Sequence, residues 1–135
     1  MSRILLDTSA LSAHFRGHEG VVEAVRSASR IAVTPIVLGE LSAGFRGGSR
    51  YEENRDLLRR FQESPRVRIL GIDVDTADRY ALIHDSLRRA GTPIPTNDMW
   101  IAASAMQFGL LLVATDAHYE RIPQIALQLH SVARR

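Results

Sequence analysis

Alternating apolar runs and helical stretches predict an α/β fold, with a mainly parallel central sheet of about five strands and helices on both faces. Three observations carry that expectation. Runs such as Ile4-Leu5-Leu6 and Leu110-Leu111-Leu112-Val113-Ala114 are apolar without a break, as strands buried on both faces are. Stretches of helical length and periodicity separate these runs. The 135 residues, 45% hydrophobic and 24% charged, suit one ordinary domain, residues 1–135, with a single substantial core.

In chain order, Ile4-Leu5-Leu6 is the first strand. A helix over about Ala10 to Phe15 follows, then a break at Gly17 and a second helix near Glu19 to Ser27. Arg30-Ile31-Ala32-Val33-Thr34 is the second strand. Pro35 opens a helix to about Ala43, at a position where its missing N–H is harmless. Gly44 to Gly48 reads as a glycine-rich hinge, and Tyr51 to Gln62 as a strongly charged helix. Val67-Arg68-Ile69-Leu70 is the third strand. Asp75 is expected to cap a helix running to Arg89, which Gly91 and Thr92-Pro93-Ile94-Pro95 bring to an end. Thr96 is expected to cap the next helix, through Gln107 to a stop at Gly109. Leu110 to Ala114 is the most hydrophobic strand and is expected at the centre of the sheet. Ile125, Leu127 and Leu129 alternate with Ala126 and Gln128, so the tail is expected to add an edge strand.

Composition excludes several chemistries. With no cysteine there are neither disulfides nor thiolate metal sites, so a metal must use oxygen or imidazole ligands. All 17 basic residues are arginine, which rules out lysine-dependent chemistry, and the net charge of +2 is too small to argue nucleic-acid binding alone. The opening apolar stretch is too short for a signal peptide, and no run approaches the roughly 20 apolar residues that span a bilayer. A cytoplasmic protein with no membrane partner is expected.

Four carboxylates sit where a fold would rather have no charge. Asp7 ends the first strand and Asp116 follows Leu110 to Thr115. Glu40 lies among Ile36, Val37, Leu38 and Leu41, and Asp98 precedes Met99-Trp100-Ile101. A carboxylate drawn into apolar surroundings is costly unless protonated, paired or metal-bound. Each has a plainer role available: Asp7 and Asp116 as caps, Asp98 as a charge at a helix start. Glu40 has none. Ligands in parallel α/β sheets bind beyond the carboxyl ends of strands, where Asp7 and Asp116 are expected. Four oxygen donors suit Mg²⁺ or Mn²⁺, and a metal so held can activate water against a phosphodiester. Thr8, Ser9, Asn97 and Thr115 could orient water around it. Glu52, Glu53, Asp56 and Glu63 instead share a helix with Arg55, Arg59 and Arg60 at ion-pair spacing. Asp73 and Asp75 stay outside the site. His118 is expected to be structural, Trp100 to pack, and Arg46 and Arg50 are candidate phosphate guides.

These motifs resemble the PIN-domain ribonucleases, in particular the VapC toxins of toxin–antitoxin pairs. The likeness runs through Ile4-Leu5-Leu6-Asp7-Thr8-Ser9-Ala10-Leu11, Val37-Leu38-Gly39-Glu40-Leu41 with Gly44-Phe45-Arg46, Ile94-Pro95-Thr96-Asn97-Asp98-Met99-Trp100, and Val113-Ala114-Thr115-Asp116-Ala117-His118-Tyr119. One departure is that Ala114 stands where many relatives have Thr or Ser. The resemblance implies a PIN-like fold and an Mg²⁺ or Mn²⁺ site of Asp7, Glu40, Asp98 and Asp116. It further implies cleavage of structured RNA (tRNA or rRNA), a VapB-type antitoxin that binds promoter DNA, and a homodimer. Receiver domains and haloacid-dehalogenase phosphatases share acids at strand ends. Both families need a lysine that this chain lacks and an acidic pattern at the first strand, where Asp7-Thr8-Ser9 departs from it.

Overall fold

A computed structural model describes residues 2–132. Its strands are β1 (Arg3–Leu6), β2 (Arg30–Val33), β3 (Val67–Ile69), β4 (Leu111–Ala114) and β5 (Ala126–Leu129). They form one sheet in the order β3-β2-β1-β4-β5, parallel throughout. The expected fold class and the edge strand at the tail are both present. The middle strand is β1 rather than the more hydrophobic β4, which lies beside it. Both are buried on two faces, so apolar content does not distinguish them.

The helices are α1 (Thr8–Phe15), α2 (Glu19–Ser27), α3 (Pro35–Arg46), α4 (Tyr51–Gln62), α5 (Val74–Ala90) and α6 (Thr96–Phe108), with a short 3₁₀ helix over Ala117–Arg121. Several boundaries differ from the sequence reading, each for a local reason. The first helix begins at Thr8, because Asp7 is its cap and accepts from the Ala10 N–H at 2.7 Å. Thr34 leaves β2 to cap α3. That helix runs through Gly44, since Val37, Leu41 and Phe45 keep its i, i+4 face against the core. The break falls only at Gly47.

Asp73, not Asp75, caps α5. Its carboxylate accepts from the Asp75 and Thr76 N–H groups, and the Thr76 hydroxyl closes a capping box on the Asp73 N–H. Thr96 is the first residue of α6 and makes no side-chain cap; Pro95 occupies the cap position. Gly91 and Gly109 end α5 and α6 in the left-handed conformation, at φ of 70° and 60°, as expected of terminal glycines. The core is Ile4, Leu5, Leu6, Ile31, Val33, Leu112 and Val113 of the inner strands with Leu11, Val37, Ile83 and Ile101 of the helices. Trp100 packs as expected, stacked on Tyr80 with ring centroids 4.2 Å apart. No described helix is long and apolar enough to cross a membrane.

Candidate active site

Parallel pairing places the ends of β1 and β4 side by side. Leu6 is in register with Val113, and the Asp7 N–H continues the ladder to the Val113 carbonyl at 3.3 Å. Asp7 therefore emerges next to the Thr115-Asp116 turn. Asp98 stands in the first turn of α6, and Glu40 lies midway along α3. All four acids are thus placed at or near one end of the sheet.

Neighbouring hydroxyls orient two of them. Ser9 Oγ donates to both oxygens of Asp7, at 3.1 and 2.9 Å, while the Ala10 N–H holds Oδ1. Thr8 Oγ1 donates to Glu40 Oε1 at 2.6 Å, tying α3 to the start of α1. Thr8 and Ser9 thus grip carboxylates directly rather than facing solvent. Asn97 is exposed and Thr115 half-buried, and no side-chain hydrogen bond joins either to the four acids.

The tightest group contains a residue the sequence reading had set aside. Asp98, Asp116 and His118 offer ligand atoms that all lie within 4.8 Å of one another. His118 Nδ1 is 2.9 Å from Asp116 Oδ1 and 3.5 Å from Asp98 Oδ2. His118, expected to be structural, is thus placed beside two of the four acids. The Asp116 carboxylate caps the 3₁₀ helix by accepting from the His118 N–H, and that turn swings the imidazole back toward the acids.

Tyr119 is a second residue the sequence reading missed. Its side chain is fully buried beside Asp7 and Asp98, yet its hydroxyl has no well-aligned hydrogen-bond partner. Side chains three apart eclipse in a 3₁₀ helix, which puts Tyr119 on the same side as Asp116. The spacing Asp116-Ala117-His118-Tyr119 carried that signal.

Electrostatics match the geometry. Asp7 is 3% exposed, and burial pushes its carboxyl from 3.8 up to about 6, against the hydrogen bonds from Ala10 and Ser9. Burial raises Asp98 as well, and the Asp116 charge adds to it. Tyr119 is likewise raised by burial and by the surrounding carboxylates. Carboxylates held where they resist ionisation, with one imidazole and an unpartnered buried hydroxyl, form a donor set that fits a hard divalent cation. A cleft of about 580 Å³, bounded in part by Ser9, Asp116, His118 and His130, leads from these groups toward the tail.

Neither arginine proposed as a phosphate guide is bonded to this site. Arg50 is paired with Glu53, and Arg46 lies over the Tyr51 ring, 5.0 Å from its centroid. Of the acids expected to pair along α4, Asp56 bonds Arg60 at 3.0 Å and Glu63 bonds Arg59 at 2.7 Å, while Glu53 pairs with Arg50 and Glu52 with no arginine among the described residues.

Comparison with known proteins agrees. The PIN domain family matches residues 4–125. Ribonuclease VapC4 of Mycobacterium tuberculosis is 34% identical over 93 residues, covering 69% of this chain and 72% of that protein. The tRNA(fMet)-specific endonuclease VapC of Salmonella typhimurium is 32% identical over 101 residues, 74% of this chain and 75% of that one. In structure, the chain superposes on the DNA-bound VapBC of Salmonella typhimurium with a TM-score of 0.84 and 29% identity, over 95% of this chain and 98% of that chain. The four-acid sheet end, the strand order and these relatives together place the chain in the PIN-domain family, among its VapC ribonuclease toxins.

Proposed function

We propose that this protein is an Mg²⁺- or Mn²⁺-dependent endoribonuclease that hydrolyses structured RNA, transfer or ribosomal, and is held inactive by a VapB-type antitoxin. The observation that carries the reading is the gathering of Asp98, Asp116 and His118 within 4.8 Å of one another, with Asp7 and Asp98 beside the buried Tyr119 hydroxyl. A relative specific for tRNA(fMet) supports RNA as substrate, and a DNA-bound VapBC complex supports an antitoxin partner and an assembly that meets DNA. We assign the protein to the cytoplasm as a homodimer.

Asp7, Asp98 and Asp116 would hold the cation, with His118 as a fourth donor and Glu40 beside them. Bound there, the cation would activate water and neutralise charge on the phosphoryl oxygens. The chain's own residues do the rest. Ser9 and the Ala10 N–H fix one rotamer of Asp7, and Thr8 fixes Glu40, so the acids do not reorganise on loading. The acids alone would repel an RNA phosphate, which makes cation binding a precondition for substrate. Attack by water at phosphorus, with loss of the 3′-oxygen, leaves a 5′-phosphate and a 3′-hydroxyl.

The experiment is to express the chain without its antitoxin and map RNA ends by ligation-dependent sequencing. New 5′-phosphate ends in a folded tRNA or rRNA, lost with Asp98→Asn, are expected. RNA bound tightly but left intact would favour a silent RNA-binding scaffold. Tyr119→Phe should keep the fold, since it leaves the buried ring in place and removes only a hydroxyl with no well-aligned partner, yet weaken Mn²⁺ binding by calorimetry about tenfold. Unchanged Mn²⁺ affinity would remove Tyr119 from the account.

A further inference from the structure

At the opposite end of the sheet lies a feature that the nuclease site does not use. Arg3 and Arg30 open β1 and β2 as direct register partners, and Arg68 in β3 pairs with Ala32, two residues beyond Arg30. Side chains alternate along a strand, so all three arginines fall on one face of three adjacent strands. All three are exposed. Among the described residues, none has a carboxylate within ion-pair distance. Most arginines within the helices, by contrast, are paired: Arg26, Arg59, Arg60, Arg88 and Arg89 each hold an acid.

Like charges directly opposite on neighbouring strands are destabilising, and no group inside the fold offsets this pair. The three line a groove of about 340 Å³ whose floor includes Ala32, Leu70 and Phe108. Phe108, at the end of α6, is 38% exposed. Guanidinium forks around an apolar floor with an open aromatic ring match phosphates flanking a stacked base.

We infer that this groove is a second docking surface for folded RNA, with Arg3, Arg30 and Arg68 taking phosphates and Phe108 a base. The inference rests on the proposed RNA substrate and deepens it. Arg3 opens β1 and Asp7 follows its last residue, about 13 Å away at roughly 3.3 Å per residue. Helices pack on both sides of that strand, so a ligand joining the two ends must pass around the domain. A folded RNA with a projecting arm can follow that path and reach both the groove and the cleavage site. The groove therefore selects for tertiary structure in the RNA, apart from the cleaved sequence.

The test compares Arg3→Gln/Arg30→Gln/Arg68→Gln with the parent chain, both carrying Asp98→Asn so that RNA is not cut and the binding read is that of the groove. Fluorescence anisotropy reads affinity for an unfractionated tRNA preparation and for an eight-nucleotide single strand, from 50 to 300 mM salt. The triple variant should lose tenfold or more in tRNA affinity, with the slope of log K against log salt shallower by about 2, and lose a smaller factor for the short strand. Equal tRNA affinity and equal slope would overturn the inference. So would unchanged tRNA binding with loss of antitoxin co-purification, which would make the groove a surface for an acidic protein. If the chain with Asp98 intact cleaves RNA while the triple variant binds tRNA as its parent does, only the groove falls. If the triple variant loses tRNA binding while the chain with Asp98 intact never cleaves, the groove stands and the nuclease reading falls.

Discussion

Asp7→Asn is expected to abolish RNA cleavage and, with divalent metal removed, to leave the protein more stable than wild type at pH 7. Both effects come from one carboxylate. It is 3% exposed, and burial raises its pKa from 3.8 to about 6. Between those values the folded state keeps a proton that the unfolded chain has released. Stability from this group is therefore complete below pH 3.8 and lost as pH rises through about 6. Each pKa unit corresponds to about 1.36 kcal/mol, so at pH 7 the ionised side chain costs the metal-free protein on the order of 3 kcal/mol. Asparagine removes the charge and still offers an oxygen to the Ala10 N–H and the Ser9 hydroxyl. Thermal unfolding in EDTA should show the variant's Tm higher by roughly 5–10 °C at pH 7, with the gap shrinking toward pH 4. A variant less stable than wild type at pH 7 would mean that the charge is already compensated inside the fold.

Divalent metal should reverse that penalty in the wild type. A ligand that binds only the folded state stabilises it by about 2.7 kcal/mol at a hundred times its Kd. Titration with Mg²⁺ or Mn²⁺ should therefore raise Tm by several degrees, and Asp98→Asn should abolish most of the rise. The imidazole of His118 refines the expectation. Carboxylates serve both ions, but a nitrogen donor favours Mn²⁺ over Mg²⁺. The midpoint for Mn²⁺ should lie below that for Mg²⁺, and His118→Ala should narrow the difference. Identical midpoints in wild type and variant would place His118 outside the coordinating set.

Much of this site was legible in the residues because burial of charge is costly wherever it occurs. Asp7 and Asp116 stood at the ends of unbroken apolar runs, and such runs are strands whose ends meet in a parallel sheet. Glu40 had no polar face to explain it, and the fold gives it Thr8. What stayed hidden depended on periods and caps too short to read. Asp73 and Asp75 both precede α5, and only the reciprocal bond with Thr76 separates them. Gly44 looked like a hinge because glycine weakens a helix, while Val37, Leu41 and Phe45 had already committed that face to the core. Tyr119 and His118 reach the site only because five residues adopt a 3₁₀ turn. Capping α1 and facing the other acids are not rivals for Asp7: its capping carboxylate lies beside Tyr119 and feels the Asp98 charge, although it stands outside the close group of Asp98, Asp116 and His118.

The most direct test of the account is cleavage of folded RNA by the purified chain, freed from any antitoxin, in EDTA, in Mg²⁺ and in Mn²⁺. Wild type is compared with Asp7→Asn, Glu40→Gln, Asp98→Asn and Asp116→Asn. The account predicts cleavage by wild type only when divalent metal is present, and at least a hundredfold loss in the Asp7 and Asp98 variants. Cleavage that persists in EDTA, or survives at wild-type rate in those two variants, would contradict it.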